Sequence, residues 1–489
     1  MASLAITTQI QAPPLNPKLK PQTNHKPPKT SLSLQATLTT TTITSTFTDP
    51  FVLQLADTLE DSLPSLSPSS SLQKLRDTSS QTLLSTPWPS RKDEPFRFTD
   101  TSFIRNSQII PISHPPQSTD LLENLRDTHF TNLVFIDGFV ENSVSNLSDL
   151  PDGVYVGSLM GVSDERIFKR VCEFVNEFQR GDLFWSINGL GAPDIAVVYV
   201  PEGCMVGNPI HLRYFSVEGG NEESKKLPLT NPRVVVVVER GGEVGIVEEF
   251  VCKEGSEFYW ANPVLEVVVG EGAKVRHSYV QNQSISAAHI KWTWVRQDSA
   301  STYELAEVST GGKLSRHNVH VQQLGPDTTT ELTTFHLSIS DQTQDLHSKL
   351  VMDYPRGYSR QLHKSIVAHS QGQAVFDGNV QVNRQAQQTD AGQLTRSLLL
   401  EPRATVNIKP NLQIIANDVK CSHGAAISDL EKGQLFYFRA RGIDLETAKK
   451  ALTFAFGAEV IEQLHCPLLK QQAKIHFKGL LESTQLHSS

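Results

Sequence analysis

Residues 234–280 read VVVVVERGGEVGIVEEFVCKEGSEFYWANPVLEVVVGEGAKVRHSYV. Within it, the runs Val234–Val238, Val244–Val247, Leu265–Val269 and Lys274–Val280 have the length and the β-branched content of strands. Turns led by Gly242 and Gly272 separate them. The alternation continues through Thr329–Leu337, Ala374–Val382, Thr405–Ile408 and Leu412–Ile415, with further glycine-led turns at Gly325 and Gly372. No long amphipathic helix interrupts residues 194 to 438. Turns recurring every 25 to 50 residues or so suit the rungs of a solenoid. A sandwich or a barrel also gives many short strands. The length of this strand-only run favours a parallel β-helix.

The flanks read differently. Asp49-Pro50 is a helix N-cap followed by proline at the first helical position, and Phe51, Val52, Leu55, Leu59 and Leu63 follow at helical spacing. After a Ser/Pro break at 63–71, a second short helix runs through Leu72, Leu75 and Leu83. Pro87–Thr99, PWPSRKDEPFRFT, reads as a packed loop. Residues 106–193 are mixed, with short strands at Leu133–Ile136 and Val154–Val156, a helix over Asp164–Phe178, and an apolar extended stretch from Asp182 to Val200. Past Gly442 the pattern is helical again. Asp444 is an N-cap, Ala448, Leu452, Ala455 and Glu459 share a face, and Pro467 breaks the helix before a second through Leu468, Ala473 and Leu481. The expected divisions are a leader at 1–48, a helical region at 49–105, a mixed lead-in at 106–193, the β-helix at 194–440 and a helical domain at 441–489. That last pair of helices either caps the solenoid or docks a partner.

The leader contains no Asp, Glu or Arg, is rich in Ser, Thr and Pro, and ends in the Thr-rich run Thr37–Thr48. Acid-poor, hydroxyl-rich leaders address organelles. The absence of Arg and the prolines favour a chloroplast transit peptide. The 489 residues carry a net charge of -8, which argues against nucleic-acid binding by a general basic surface. The longest aliphatic run, Val234–Val238, is far too short for a membrane span. Cys172, Cys204, Cys252, Cys421 and Cys466 are scattered, which fits neither a disulfide framework nor a zinc ribbon.

Chemistry is sparse. Gly312-Lys313 lacks the rest of a phosphate loop, and Gly189-x-Gly191 and Gly270-x-Gly272 lack the third glycine of a dinucleotide fingerprint. No nucleotide is expected on this chain. Asp377, Asp390 and Asp418 are too dispersed for the paired acids of a carbohydrate-active β-helix enzyme. Most of the histidines (His317, His320, His336, His347, His363, His369) read as packed or solvated. In Asn417–Gly424, NDVKCSHG, a strand would point the Cys421 thiol and the His423 imidazole to one face. Such a pair can take iron or zinc, yet two ligands do not close a site. The bare pair reads as a structural contact or as half of a site completed elsewhere.

The run Asn417–Leu464, with Lys420-Cys421-Ser422-His423-Gly424, Leu435-Phe436-Tyr437-Phe438, Arg441-Gly442-Ile443 and Glu459-Val460-Ile461, resembles the SufB/SufD family of iron–sulfur cluster assembly proteins. Arg360–Pro410 and the short motif Ser90–Glu94 with Phe98-Thr99 resemble it too. The late β-core lacks the cysteine-bearing ligand region of SufB-like chains, so the chain looks like SufD. The resemblance implies a right-handed parallel β-helix between an N-terminal helical region and a C-terminal helical domain. It implies a heterodimer with a SufB-like paralogue in the chloroplast stroma, and a SufC-type ABC ATPase docked through the C-terminal helices. It also implies a scaffold rather than an enzyme, with a transient iron–sulfur cluster shared at the interface. By position, His423 is the expected cluster ligand and Cys421 its companion. Arg441, Asp444, Phe456 and Glu459 are the expected docking residues. The competing readings are a β-helix enzyme acting on carbohydrate and a structural subunit that never touches iron.

Overall fold

The alternation of strand and turn winds the chain into two parallel sheets facing each other across one core. The computed structural model describes residues 49–63, 70–115, 130–175, 181–253 and 255–483. The leader at 1–48 and most of the Ser/Pro break lie outside the described residues. One sheet stacks β1 Ala196–Val200, β3 Arg233–Val238, β5 Val264–Val269, β7 Ala288–Gln297, β9 Leu314–Gln323, β11 Thr343–Met352, β13 Gln373–Val382 and β15 Thr405–Ile414. The other stacks β2 Ile210–Ser216, β4 Glu243–Cys252, β6 Lys274–Asn282, β8 Thr302–Ser309, β10 Thr329–Ser338, β12 Tyr358–Val367, β14 Thr389–Leu399 and β16 Val419–Ser428. These sixteen strands alternate between the two sheets along the chain, so each pair is one turn of a parallel β-helix.

Register explains the five valines. Val234 to Val238 pair in step with Leu265 to Val269. Val234, Val236 and Val238 enter the lumen core, while Val235 and Val237 pack outward beneath Leu72, Val171, Phe174 and Trp185. A strand covered on both faces reads as a continuous apolar run. The cover is helical: α1 Pro50–Ser62, α2 Ser70–Ser85, α3 Glu165–Val175 and α4 Leu183–Gly191. Asp49 caps α1 through the Phe51 amide at 3.0 Å, as the sequence suggested.

Two local expectations are corrected. Asp182–Val200 is not extended throughout: Asp182 accepts hydrogen bonds from the Phe184 and Trp185 amides and starts α4, whose residues Leu183 to Leu190 are all buried. A helix buried on every side shows no amphipathic stripe. Leu435–Phe438, expected within the β-helix at 194–440, lies in helix α5 Lys432–Arg439. Helix α6 Leu445–Ile461 follows, and Pro467 stands first in α7 Pro467–Ser483. The buried face of α6 is Ala448, Thr453, Gly457, Val460 and Ile461, so of the expected stripe only Ala448 is buried. A Cβ on Gly457 would lie 2.6 Å from Phe335, so this glycine permits the close approach to β10. No helix among the described residues is long and apolar enough to cross a membrane.

The middle turns fill the lumen with ionisable groups. Glu248, fully buried, accepts from Lys291 at 2.8 Å, His277 at 3.0 Å and the Tyr214 hydroxyl at 3.0 Å. Glu307, equally buried, contacts His317 and His336 at 2.8 Å each. Burial alone would raise both carboxyls; these neighbours instead hold Glu248 down to about 2 and Glu307 well below the usual carboxylate range. A depressed acid stabilises the fold above its unfolded pKa and loses that contribution as pH falls through its folded value. Glu307→Gln should therefore cost about 3–5 kcal/mol at neutral pH. The gap to the parent should narrow as pH drops from about 5 to 2. Denaturant titrations of parent and variant across that range check this.

Candidate functional site

The last turn of the solenoid carries the Cys421–His423 pair. β16 hydrogen-bonds to β14 on one side, and no further described strand continues its sheet. Cys421 lies beside Ala391 and His423 beside Gln393. Successive registers place His423 at the head of an inward column that runs through Gln393, Gln361, Leu332 and Leu305 to His277. Both side chains thus point toward the lumen at its open end, as strand parity required.

Their surroundings differ. Cys421 is half-buried against the main core. Burial pushes its thiol up, and nearby Asp390 adds to this, while the Ala391 backbone opposes it. A metal ligand must be a thiolate, so this environment works against Cys421 as a first ligand. His423 is exposed and has no hydrogen-bond partner among the described residues. The final turn also leaves apolar side chains in contact with solvent: Ile414 is 45% exposed, Ile415 53% and Ile427 50%. Among the described residues, no three His, Cys, Asp or Glu side chains are grouped to hold a metal ion.

The expected docking residues fall into two groups. Arg441 and Asp444 are at the surface: Arg441 lies over the Tyr437 ring, and Asp444 caps α6 through the Thr447 amide at 2.9 Å. Phe456 and Glu459 face the solenoid. The Lys364 ammonium, on β12, sits 4.3 Å from the centre of the Phe456 ring, donates to the Phe456 carbonyl at 2.9 Å and pairs with Glu459. Burial lowers the Lys364 pKa, and Glu459 opposes that. The dispersed acids stay apart: Asp377 contacts Lys409 on the first sheet, and Asp390 contacts Arg360 and Lys420 on the second.

Comparison with known proteins agrees with this architecture. Residues 220–456 match the SufBD core domain of the SUF system for FeS cluster assembly, and residues 53–212 match the SufBD protein N-terminal region. The chain belongs to the SufBD family. It is 69% identical to "Protein ABCI7, chloroplastic" of Arabidopsis thaliana, over 85% of this chain and 88% of that one. An iron–sulfur cluster assembly SufBD family protein of Synechocystis is 34% identical over 79% of this chain and 86% of its own. The iron–sulfur cluster assembly protein SufD of Escherichia coli is 28% identical over 80% and 89%. Within the SufBD family the chain is SufD-like.

Sequence reading did not find Lys364. Its signal was only a lysine two residues before the apolar pair Ile366-Val367. Replacing Lys364 by Met removes a charge-assisted anchor of the type worth about 1.5–3 kcal/mol. Amide exchange in α6 should then speed up by about ten- to a hundredfold while the solenoid strands keep their protection. Residue-resolved hydrogen exchange reads both.

Proposed function

We propose that this chain is the SufD-type scaffold of a plastid SUF complex, in which it pairs with a SufB-like paralogue and lends His423 to a cluster site at their interface. The observation that carries this reading is an exposed imidazole on the final strand of a solenoid whose last turn presents bare apolar side chains. Burying those chains against a second solenoid would desolvate them and bring the partner's ligands to His423. Iron–sulfur clusters take four thiolates or a mixture of thiolate and imidazole. One imidazole, with the Cys421 thiol set deeper, leaves most ligands to the paralogue. A cluster held that way is built and then released, and here it is cargo rather than a resident cofactor.

The scaffold itself carries out no catalysis in this reading. ATP is bound and hydrolysed by a SufC-type ABC ATPase that docks on the C-terminal helices. Helix α5, which has no buried residue, and the neighbouring Arg441 and Asp444 offer the free surface. Phe456 and Glu459 tie the same helical domain to β12, so force applied by the ATPase has a path into the solenoid. The acid-free leader and the chloroplastic relative support a plastid address, in the stroma.

His423→Ala should leave the complex assembled on size exclusion and abolish cluster formation in anaerobic reconstitution followed by absorbance. A normal cluster yield from an intact complex would remove His423 from the site.

A further inference from the structure

The motif Ser90–Thr99 has no part in the site above, yet it is held firmly against the outer face of the first sheet. The Thr99 hydroxyl donates to Asp345 at 2.5 Å, Arg316 donates to the Pro95 carbonyl at 2.9 Å, and Lys409 pairs with Glu94 at 2.8 Å. The Arg316 guanidinium lies 4.1 Å from the centre of the Phe96 ring. Between this strap and the sheet lies a cavity of about 410 Å³, within the usual range of small-molecule sites.

The charges lining the cavity are unevenly matched. Asp182 is taken up by the Trp292 indole N–H at 2.8 Å and by the cap of α4. Lys409 lies between Glu94, at 2.8 Å, and Asp377, at 3.3 Å, and balances one of these two charges, with the His347 ring 3.9 Å from Asp377. Arg316 is matched by buried Asp345 at 2.7 Å. Lys349 is different: it has no counter-ion among the described residues. Its strand neighbours in the same outward column are His320 on β9 and Asn379 on β13. His320 Nε2 and Asn379 Oδ1 are both buried with no hydrogen-bond partner. Burial, helped by Lys349, lowers the His320 pKa to about 4, so its ring is neutral at working pH and can donate from Nε2. Turning the Asn379 amide presents its N–H groups instead of its oxygen. Three open polar ends thus stand on adjacent strands about 4.8 Å apart. Trp292 and Phe96 supply apolar walls beside them.

We propose that this cavity binds a small organic oxyanion, with Lys349, His320 and Asn379 holding the head group and Trp292 and Phe96 flanking an apolar or planar body. A carboxylate and a phosphate ester share the required head-group chemistry. The site lies on the opposite sheet from His423 and does not depend on the cluster reading.

Calorimetric titration of the full chain with phenyl phosphate, benzoate and inorganic phosphate, alongside tryptophan fluorescence, tests this. Saturable binding of phenyl phosphate or benzoate, tighter than inorganic phosphate, is expected. Phenyl phosphate alone would assign a phosphate ester and benzoate alone a carboxylate. Lys349→Gln, at an exposed position that keeps the fold, should weaken binding at least about tenfold, the loss of one charge-assisted hydrogen bond. Three outcomes would overturn the proposal: no binding of either organic probe up to about 10 mM, equal affinity in the Lys349→Gln chain, or inorganic phosphate binding as tightly as the organic probes.

Discussion

Everything in this molecule depends on parallel strands stacking in register from one turn to the next. In that arrangement a residue's neighbours are the residues one turn before and after it, and its side chain faces inward or outward with a period of two. A slip of one residue would expose every inward side chain, so the register is strongly specified. The same rule makes columns: five valines lie beneath helices on one side and in the lumen on the other, and His423 inherits its inward direction from His277 five turns below. A solenoid passes its edge on from turn to turn, and the final turn has nothing left to pass it to. The exposed isoleucines of the last turn are the consequence.

The lumen is not built for maximal stability. Fully buried ion pairs such as Lys291 with Glu248 cost several kcal/mol in desolvation per ion, and apolar packing of the same volume often does as well or better. The early turns show that alternative, with Leu212, Val236 and Ile246 in the corresponding space. Glu248 and Glu307 are held by hydrogen bonds to His277 and His336 on the adjacent turns, which ties these turns together by direction as well as by area. The outer face works similarly. Lys364 fixes α6 by its ammonium, and Gly457 lets the helix approach Phe335 and Phe477.

Much of this was legible in the sequence, for physical reasons. Strand length and glycine-led turns reported the solenoid, and Asp49-Pro50 and Asp444 reported helix starts because capping is local. Parity placed Cys421 and His423 on one face, since a strand's period needs no tertiary information. What escaped was non-local. Helix α4 is buried on all sides and so carries no amphipathic stripe. Leu435–Phe438 is helical although its aromatic content favours strands. The buried face of α6 follows from what β10 and β12 present to it, so Glu459 and Phe456 turn toward Lys364. The depth of Cys421 relative to His423 is set by the core below them, and the Ser90–Thr99 strap closes on residues more than two hundred positions away.

The central claim is that His423 meets the nascent cluster directly. Pulsed electron paramagnetic resonance of the reduced cluster in the reconstituted complex tests it, with ¹⁵N-histidine incorporated in this chain alone. A nitrogen coupling that changes with the isotope and vanishes in the His423→Gln complex is the predicted result. A cluster with no coupling to this chain's histidine nitrogen, or a coupling that survives the substitution, would contradict the account.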